Sequence, residues 1–90
     1  MKIVVATGGF DPLHSGHIAY LAAAKKLGDS LFVGVNSDAW LERKKGRAFM
    51  PWSERAGLVG ALRPVDRVLA IPDDEEGSAK NLLQIGRAHV

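Results

Sequence analysis

The sequence predicts an α/β domain in three layers, with helices packed around a parallel sheet of three strands. Three observations predict it. Short β-branched or apolar runs recur at Ile3–Thr7, Leu31–Val35 and Arg67–Ile71. Segments of helical length separate them, and glycine, asparagine or proline ends each run. Continuous apolar runs without alternation suit strands buried on both faces, and strands joined through helices pair in parallel by right-handed crossovers.

Each element has its own local reason. Gly8-Gly9 breaks the first strand, and a helix is expected over 15–27, burying Ile18, Leu21, Ala22 and Ala24. Lys25 and Lys26 suit the negative end of that helix, and Gly28 suits a left-handed C-cap. After the second strand, Asn36-Ser37-Asp38 can cap a short helix through Leu41. Residues 42–50 are basic, contain Gly46 and lack periodicity, so a loop is expected there. Pro51-Trp52-Ser53 opens a helix over 54–62 with Leu58, Val59 and Leu62 as its apolar stripe. Pro72 ends the third strand, Asp73–Gly77 form a solvated acidic loop, and Ser78 can cap a last helix through Leu83. Trp40 and Trp52 are expected in the core or at its rim.

Composition narrows the function. With 47% hydrophobic and 24% charged residues the 90-residue chain is globular in character, and a domain this small buries about 60–65% of its unfolded surface. No apolar run reaches the roughly 18–20 residues of a membrane span, and the N-terminus lacks a signal-peptide pattern, so a cytoplasmic chain is expected. The absence of cysteine excludes disulfides, thiolate zinc sites and a cysteine nucleophile. A net charge of +2 and one basic cluster at Arg43, Lys44, Lys45 and Arg47 give no case for nucleic acid. The expected domain covers 1–84. The tail 85–90, Ile-Gly-Arg-Ala-His-Val, matches one reading frame of a common sequencing-library adapter and is expected to be non-native.

The chemistry concentrates in Thr7-Gly8-Gly9-Phe10-Asp11-Pro12-Leu13-His14-Ser15-Gly16-His17, where the first strand runs into the first helix. Ligands of open α/β sheets bind at that edge. Glycines permit close backbone approach, and a helix N-terminus offers unpaired N–H groups to phosphate. His14 and His17, three apart, share one face of the first turn, and Gly16 leaves room between them. The spacing fits neither G-x-G-x-x-G nor the Walker pattern, and two histidines lack a third ligand for zinc unless Asp11 serves. No nucleophile stands beside a base. Direct displacement at phosphorus, assisted by positioning and charge stabilisation, is the chemistry such a site suits.

Gly-Gly-Phe-Asp-Pro-Leu-His-Ser-Gly-His resembles the H-x-G-H signature of the nucleotidylyltransferase superfamily. The likeness continues through residues 21–40, Lys44–Arg47 and 53–68, and is greatest to glycerol-3-phosphate cytidylyltransferases and the adenylyltransferase domains of bacterial ADP-heptose synthesis. It implies a Rossmann-like fold and transfer of CMP or AMP from CTP or ATP to a phosphorylated sugar or polyol, with Mg²⁺ and release of pyrophosphate. His14 and His17 would hold the triphosphate, while Thr7, Gly8, Gly9, Phe10 and Gly16 would line the phosphate site. Asp11 would order the site or serve Mg²⁺. Lys44 or Lys45 would close over the acceptor, and Arg55 and Arg63 would contact substrate or triphosphate. Arg63 could instead pair with Asp66, which, like Asp38, matches a family position. The family's further strand, helix and Ser/Thr-rich turn have no counterpart after Leu83, so truncation is expected. The rival expectation is a non-catalytic nucleotide-binding or dimerisation module.

Overall fold

The computed structural model describes residues 1–71 together with 88 and 89. In chain order the elements are β1 (Ile3–Gly8), α1 (Ser15–Lys25), β2 (Ser30–Val35), α2 (Asp38–Lys45), α3 (Trp52–Gly60), β3 (Arg67–Ala70) and β4 (Ala88–His89). The strands stand in the order β3-β2-β1-β4, every pair parallel. Ile3 lies opposite Ser30 and Gly8 opposite Val35, while β3 enters with Arg67 opposite Phe32. The three expected strands are present, and the two-residue β4 adds a fourth beside Val4 and Val5.

The topology explains where the core sits. From β1 to β2 through α1, and from β2 to β3 through α3, the chain steps across the sheet in one direction. Right-handed crossovers then put both helices on one face. On that face Val4, Ala6, Leu31, Val33 and Val35 meet Leu21 and Ala24 of α1 and Val59 of α3. Full burial of each larger aliphatic side chain is worth about 1.5–3 kcal/mol against leaving it in water. On the other face Val5 meets Ile71, flanked by Ile3 and Leu69. The fold is a Rossmann-like α/β arrangement, and the described residues make two of its three layers. The acidic loop and the helix expected from Ser78 lie outside the described residues.

The helices depart from expectation in instructive ways. The short helix expected to stop at Leu41 continues to Lys45, so Lys44 and Lys45 are helical rather than part of a loop. Its basic last turn suits the negative helix end, and Gly46 closes it at φ 94° with its N–H on the Glu42 carbonyl. α2 buries only Leu41, which is why its sequence shows no apolar period. α3 starts two residues early at Trp52, and Arg55 rather than Leu58 takes the inward position one turn before Val59. Ile18 of α1 is 44% exposed, and α1 ends at Lys25. Gly28 is not left-handed. A Cβ there would meet Val4 Cγ2 at 2.7 Å and the Lys2 carbonyl at 2.9 Å, so this glycine provides clearance.

The edge where the strands begin is braced by Asp66. Its carboxylate accepts the Leu31 N–H at 2.7 Å and pairs with Lys25 of α1. The Lys25 ammonium, then the Leu31 N–H, hold that carboxyl below its ordinary pKa against a smaller opposing effect of burial. Asp66 therefore partners Lys25 and not Arg63.

Candidate active site

The opposite edge, where β1 and β2 end, gathers most of the singled-out residues. Thr7 lies within β1 opposite Gly34 and Gly8 opposite Val35. Beyond Gly8 the chain turns through Gly9 and Phe10, whose φ of 52° is unusual for an aromatic residue, and reaches α1 through a cis Asp11–Pro12 bond. A Cβ on Gly9 would approach Leu41 Cδ2 to 2.8 Å, so α2 packs close against the turn.

The two histidines start α1 by capping it reciprocally. The Gly16 N–H donates to His14 Nδ1 at 3.1 Å, and the His14 N–H donates to His17 Nδ1 at 3.1 Å. Their rings stack at 3.9 Å between centroids, and Phe10 meets the His17 ring edge-on at 5.1 Å. Because both Nδ1 atoms accept, the proton of a neutral ring here resides on Nε2, which makes that nitrogen an N–H donor at the helix N-terminus. Burial first, and the neighbouring His14 second, push His17 below its ordinary pKa. Gly16 is needed because a Cβ would come within 2.9 Å of the His14 ring.

Asp11 turns away from the histidines. One carboxylate oxygen accepts the Phe49 N–H at 2.6 Å, and the other accepts the Met50 N–H at 2.8 Å. Lys45 Nζ stands 3.0 Å from the same carboxylate, whose side chain is fully buried. Burial opposes its charge, but the Phe49 and Met50 N–H groups and Lys45 together hold its pKa below the usual carboxylate value. Asp11 thus ties the turn after β1 to the α2–α3 loop. Lys45 also lies over the Phe49 ring at 4.5 Å, and Lys44 over Trp40 at 5.6 Å.

Arg55 and Arg63 do not sit as substrate contacts would. The Arg55 side chain is fully buried, donating to the carbonyls of Gly9 at 2.8 Å, Asn36 at 2.7 Å and Met50 at 2.9 Å, and to Asp38 at 2.5 Å. With these acceptors engaged, it braces the site from behind. Arg63 is exposed in the α3–β3 connection, at the edge where β2 and β3 begin, and so lies across the sheet from the histidines. Trp52 lies at the core's rim, with Nε1–H on the Val35 carbonyl at 3.0 Å. Asn36 and Met50 are parts of the site that residue-type patterns missed, since both act through backbone groups. No enclosed cavity forms among the described residues.

These residues can offer an anionic group two imidazole N–H donors, nearby backbone N–H groups and flanking cations. Among the described residues no cluster of three or more His, Asp or Glu side chains could hold a metal ion, and Asp11 is committed elsewhere. Mg²⁺ keeps several waters and takes one or two carboxylates beside substrate phosphates, so it needs no protein-built cluster to accompany a triphosphate. No helix among the described residues is long and apolar enough to cross a membrane.

Comparison with known proteins agrees with the geometry. The bifunctional protein HldE of Proteus mirabilis (strain HI4320) is 51% identical over 75 residues, covering 81% of this chain and 16% of that protein. The HldE protein of Escherichia coli O1:K1 / APEC is 49% identical over 75 residues, with the same shares of 81% and 16%. The chain thus spans about a sixth of the length of the curated relatives it matches. A lipopolysaccharide core biosynthesis protein from Thermoplasma volcanium GSS1, known from its crystal structure, superposes with a TM-score of 0.83 at 35% identity, over 98% of this chain and 70% of that one. Residues 5–84 match the cytidylyltransferase-like family model, and the chain belongs to the cytidylyltransferase-like family.

Proposed function

We propose that this chain handles the nucleotide in a nucleotidyl transfer, moving AMP or CMP from ATP or CTP onto a phosphorylated sugar or polyol. The acceptor's phosphate oxygen attacks the α-phosphorus, the bond to the β-phosphate breaks, and pyrophosphate leaves. The observation that carries this reading is the reciprocal histidine cap, which occupies both Nδ1 atoms and leaves the Nε2 atoms as N–H donors at the α1 N-terminus. Such donors stabilise charge that grows on phosphate oxygens as the leaving group departs. Lys44 and Lys45, in the last turn of α2, would meet the acceptor phosphate, Lys45 by exchanging its Asp11 partner for it. Mg²⁺ enters as the counterion of the triphosphate, part of the substrate. A sugar phosphate is favoured as acceptor because one relative is a lipopolysaccharide core biosynthesis protein. Soluble nucleotide and sugar phosphate substrates put this activity in the cytoplasm.

The test is pyrophosphate release with ATP or CTP against a panel of sugar 1-phosphates and glycerol 3-phosphate. His17→Ala should lose at least about 10²-fold in rate, the scale of one well-aimed donor in a transition state. Full activity in that variant would remove the histidine from its assigned role. A second reading, a nucleotide-binding or homodimerising module without turnover, draws on the outer edge of β3, which no strand among the described residues covers. Nucleotide-induced thermal stabilisation without pyrophosphate release, or a dimer in sedimentation, would favour it.

A further inference from the structure

Arg55 is the largest of the fully buried side chains, and it brings a guanidinium inside. Its guanidinium ties together the turn at Gly9, the stretch from Asn36 to Asp38 between β2 and α2, and the loop at Met50. Asp38 offsets the charge, and three backbone carbonyls take three more of the fork's five donors. One of these bonds bears directly on the histidine edge. In a trans peptide unit the C=O and the following N–H point in opposite directions. Holding the Gly9 carbonyl on Arg55 Nη1, in the interior, turns the Phe10 N–H the other way.

Phe10 itself is in the left-handed region at φ 52°, a conformation that persists only where the surroundings over-determine it. Its ring is buried and locked between Gly8 and His17. Among the described residues no acceptor meets its N–H. Arg55 on one side and the His17 ring on the other thus bracket a single peptide unit.

We infer that Arg55 is a positioning residue, a buried guanidinium that fixes the Gly9–Phe10 peptide so that the Phe10 N–H is presented to a phosphate group beside His14 and His17. The phosphate part rests on the nucleotidyl-transfer reading, while the hold on the Gly9 carbonyl stands apart from it. Lysine at position 55 could still neutralise Asp38, but its single ammonium cannot span Gly9, Asn36 and Met50 together.

The experiment is NMR on the isotope-labelled 90-residue chain, free and titrated with inorganic pyrophosphate. In the unsubstituted protein a through-hydrogen-bond coupling should link Arg55 Nη1 to the Gly9 carbonyl carbon. Pyrophosphate should move the Phe10 amide and both imidazole Nε2 resonances. In Arg55→Lys the Gly9 carbonyl resonance should shift even without ligand, the Phe10 amide should stop responding, and pyrophosphate should bind about 10- to 100-fold more weakly, the range for one hydrogen bond to a charged group. The imidazoles should still respond, a pattern that general loosening of the fold would not produce. An unchanged Gly9 carbonyl and Phe10 response in folded Arg55→Lys would overturn the inference. Should that variant fail to fold, absence of the coupling in the unsubstituted chain would overturn it equally. Failure of pyrophosphate to move either Phe10 or the imidazoles in the unsubstituted chain would instead refute the phosphate reading, with the coupling still deciding the role of Arg55.

Discussion

Replacing Asp11 by asparagine keeps the shape of the side chain and removes what it does. The carboxylate takes the Phe49 N–H at 2.6 Å on one oxygen and the Met50 N–H at 2.8 Å on the other, beside Lys45 at 3.0 Å. An amide has one oxygen, so one of these N–H groups would face an NH₂ donor. A net hydrogen bond to a charged group is worth about 1.5–3 kcal/mol and a neutral one about 1 kcal/mol. Losing one and weakening the other should cost about 2–4 kcal/mol, a large part of the ~5–15 kcal/mol typical of a folded domain. For a domain of this size each kcal/mol moves Tm by about 4–8 °C, so melting followed by circular dichroism at neutral pH should fall by roughly 10–30 °C. The pH dependence adds a second readout. The Asp11 carboxyl is held below its ordinary 3.8 in the folded chain, so its contribution is fully present above that value and lost as pH falls through the lower folded one. The gap between Asp11→Asn and the unsubstituted protein should therefore narrow as pH falls below 3.8 through the lower folded value. A drop in Tm under about 3 °C at neutral pH, or a gap that ignores acid, would refute the reasoning.

Further outcomes follow from the same physical chemistry. Because His17 is held below its ordinary 6.5, the unfolded chain takes up its proton first, so stability should decline as pH falls from about 6.5 through the folded value. His17→Gln should flatten that slope in urea midpoints measured from about pH 5 to 7. Gly46→Ala should cost about 1–2 kcal/mol although nothing lies within 4 Å of the new Cβ, because φ 94° is the penalty, and Gly46→Asn should cost less by the same urea measurement. Asp66→Ala should lose about 1–2 kcal/mol, kept small by the exposure of its ion pair, and leave pyrophosphate affinity untouched in calorimetry.

The strands and the histidine turn were legible because their signals are local. Three apolar runs and one H-x-G-H segment each state their own structure within a dozen residues. α2 was half legible: Ser37 announced its start through a side-chain cap on the Trp40 N–H at 3.0 Å, but a helix that buries only Leu41 leaves no apolar period to mark its length. Arg55 was expected at substrate or triphosphate, and its buried bonds to Gly9, Asn36, Met50 and Asp38 were not legible from its residue type. The signal that could have placed it was position, since it precedes Val59 by four and follows Trp52 by three, on the inward face of α3. Asp11 and Arg63 depended on tertiary placement. Spacing says nothing of which loop meets the Asp11 carboxylate, nor that the α3–β3 connection carries Arg63 to the far end of the sheet.

The parallel sheet also separates attachment from chemistry. β1 begins at the edge braced by Asp66, where Met1 is 88% exposed and the Lys2 N–H is held by Asp29 at 2.6 Å. Any polypeptide joined ahead of Met1, an affinity tag or a second domain, would leave the molecule from that side. The histidines look out from the other. Such a passenger would approach the sheet from the side away from the histidine turn, at the exposed start of β1.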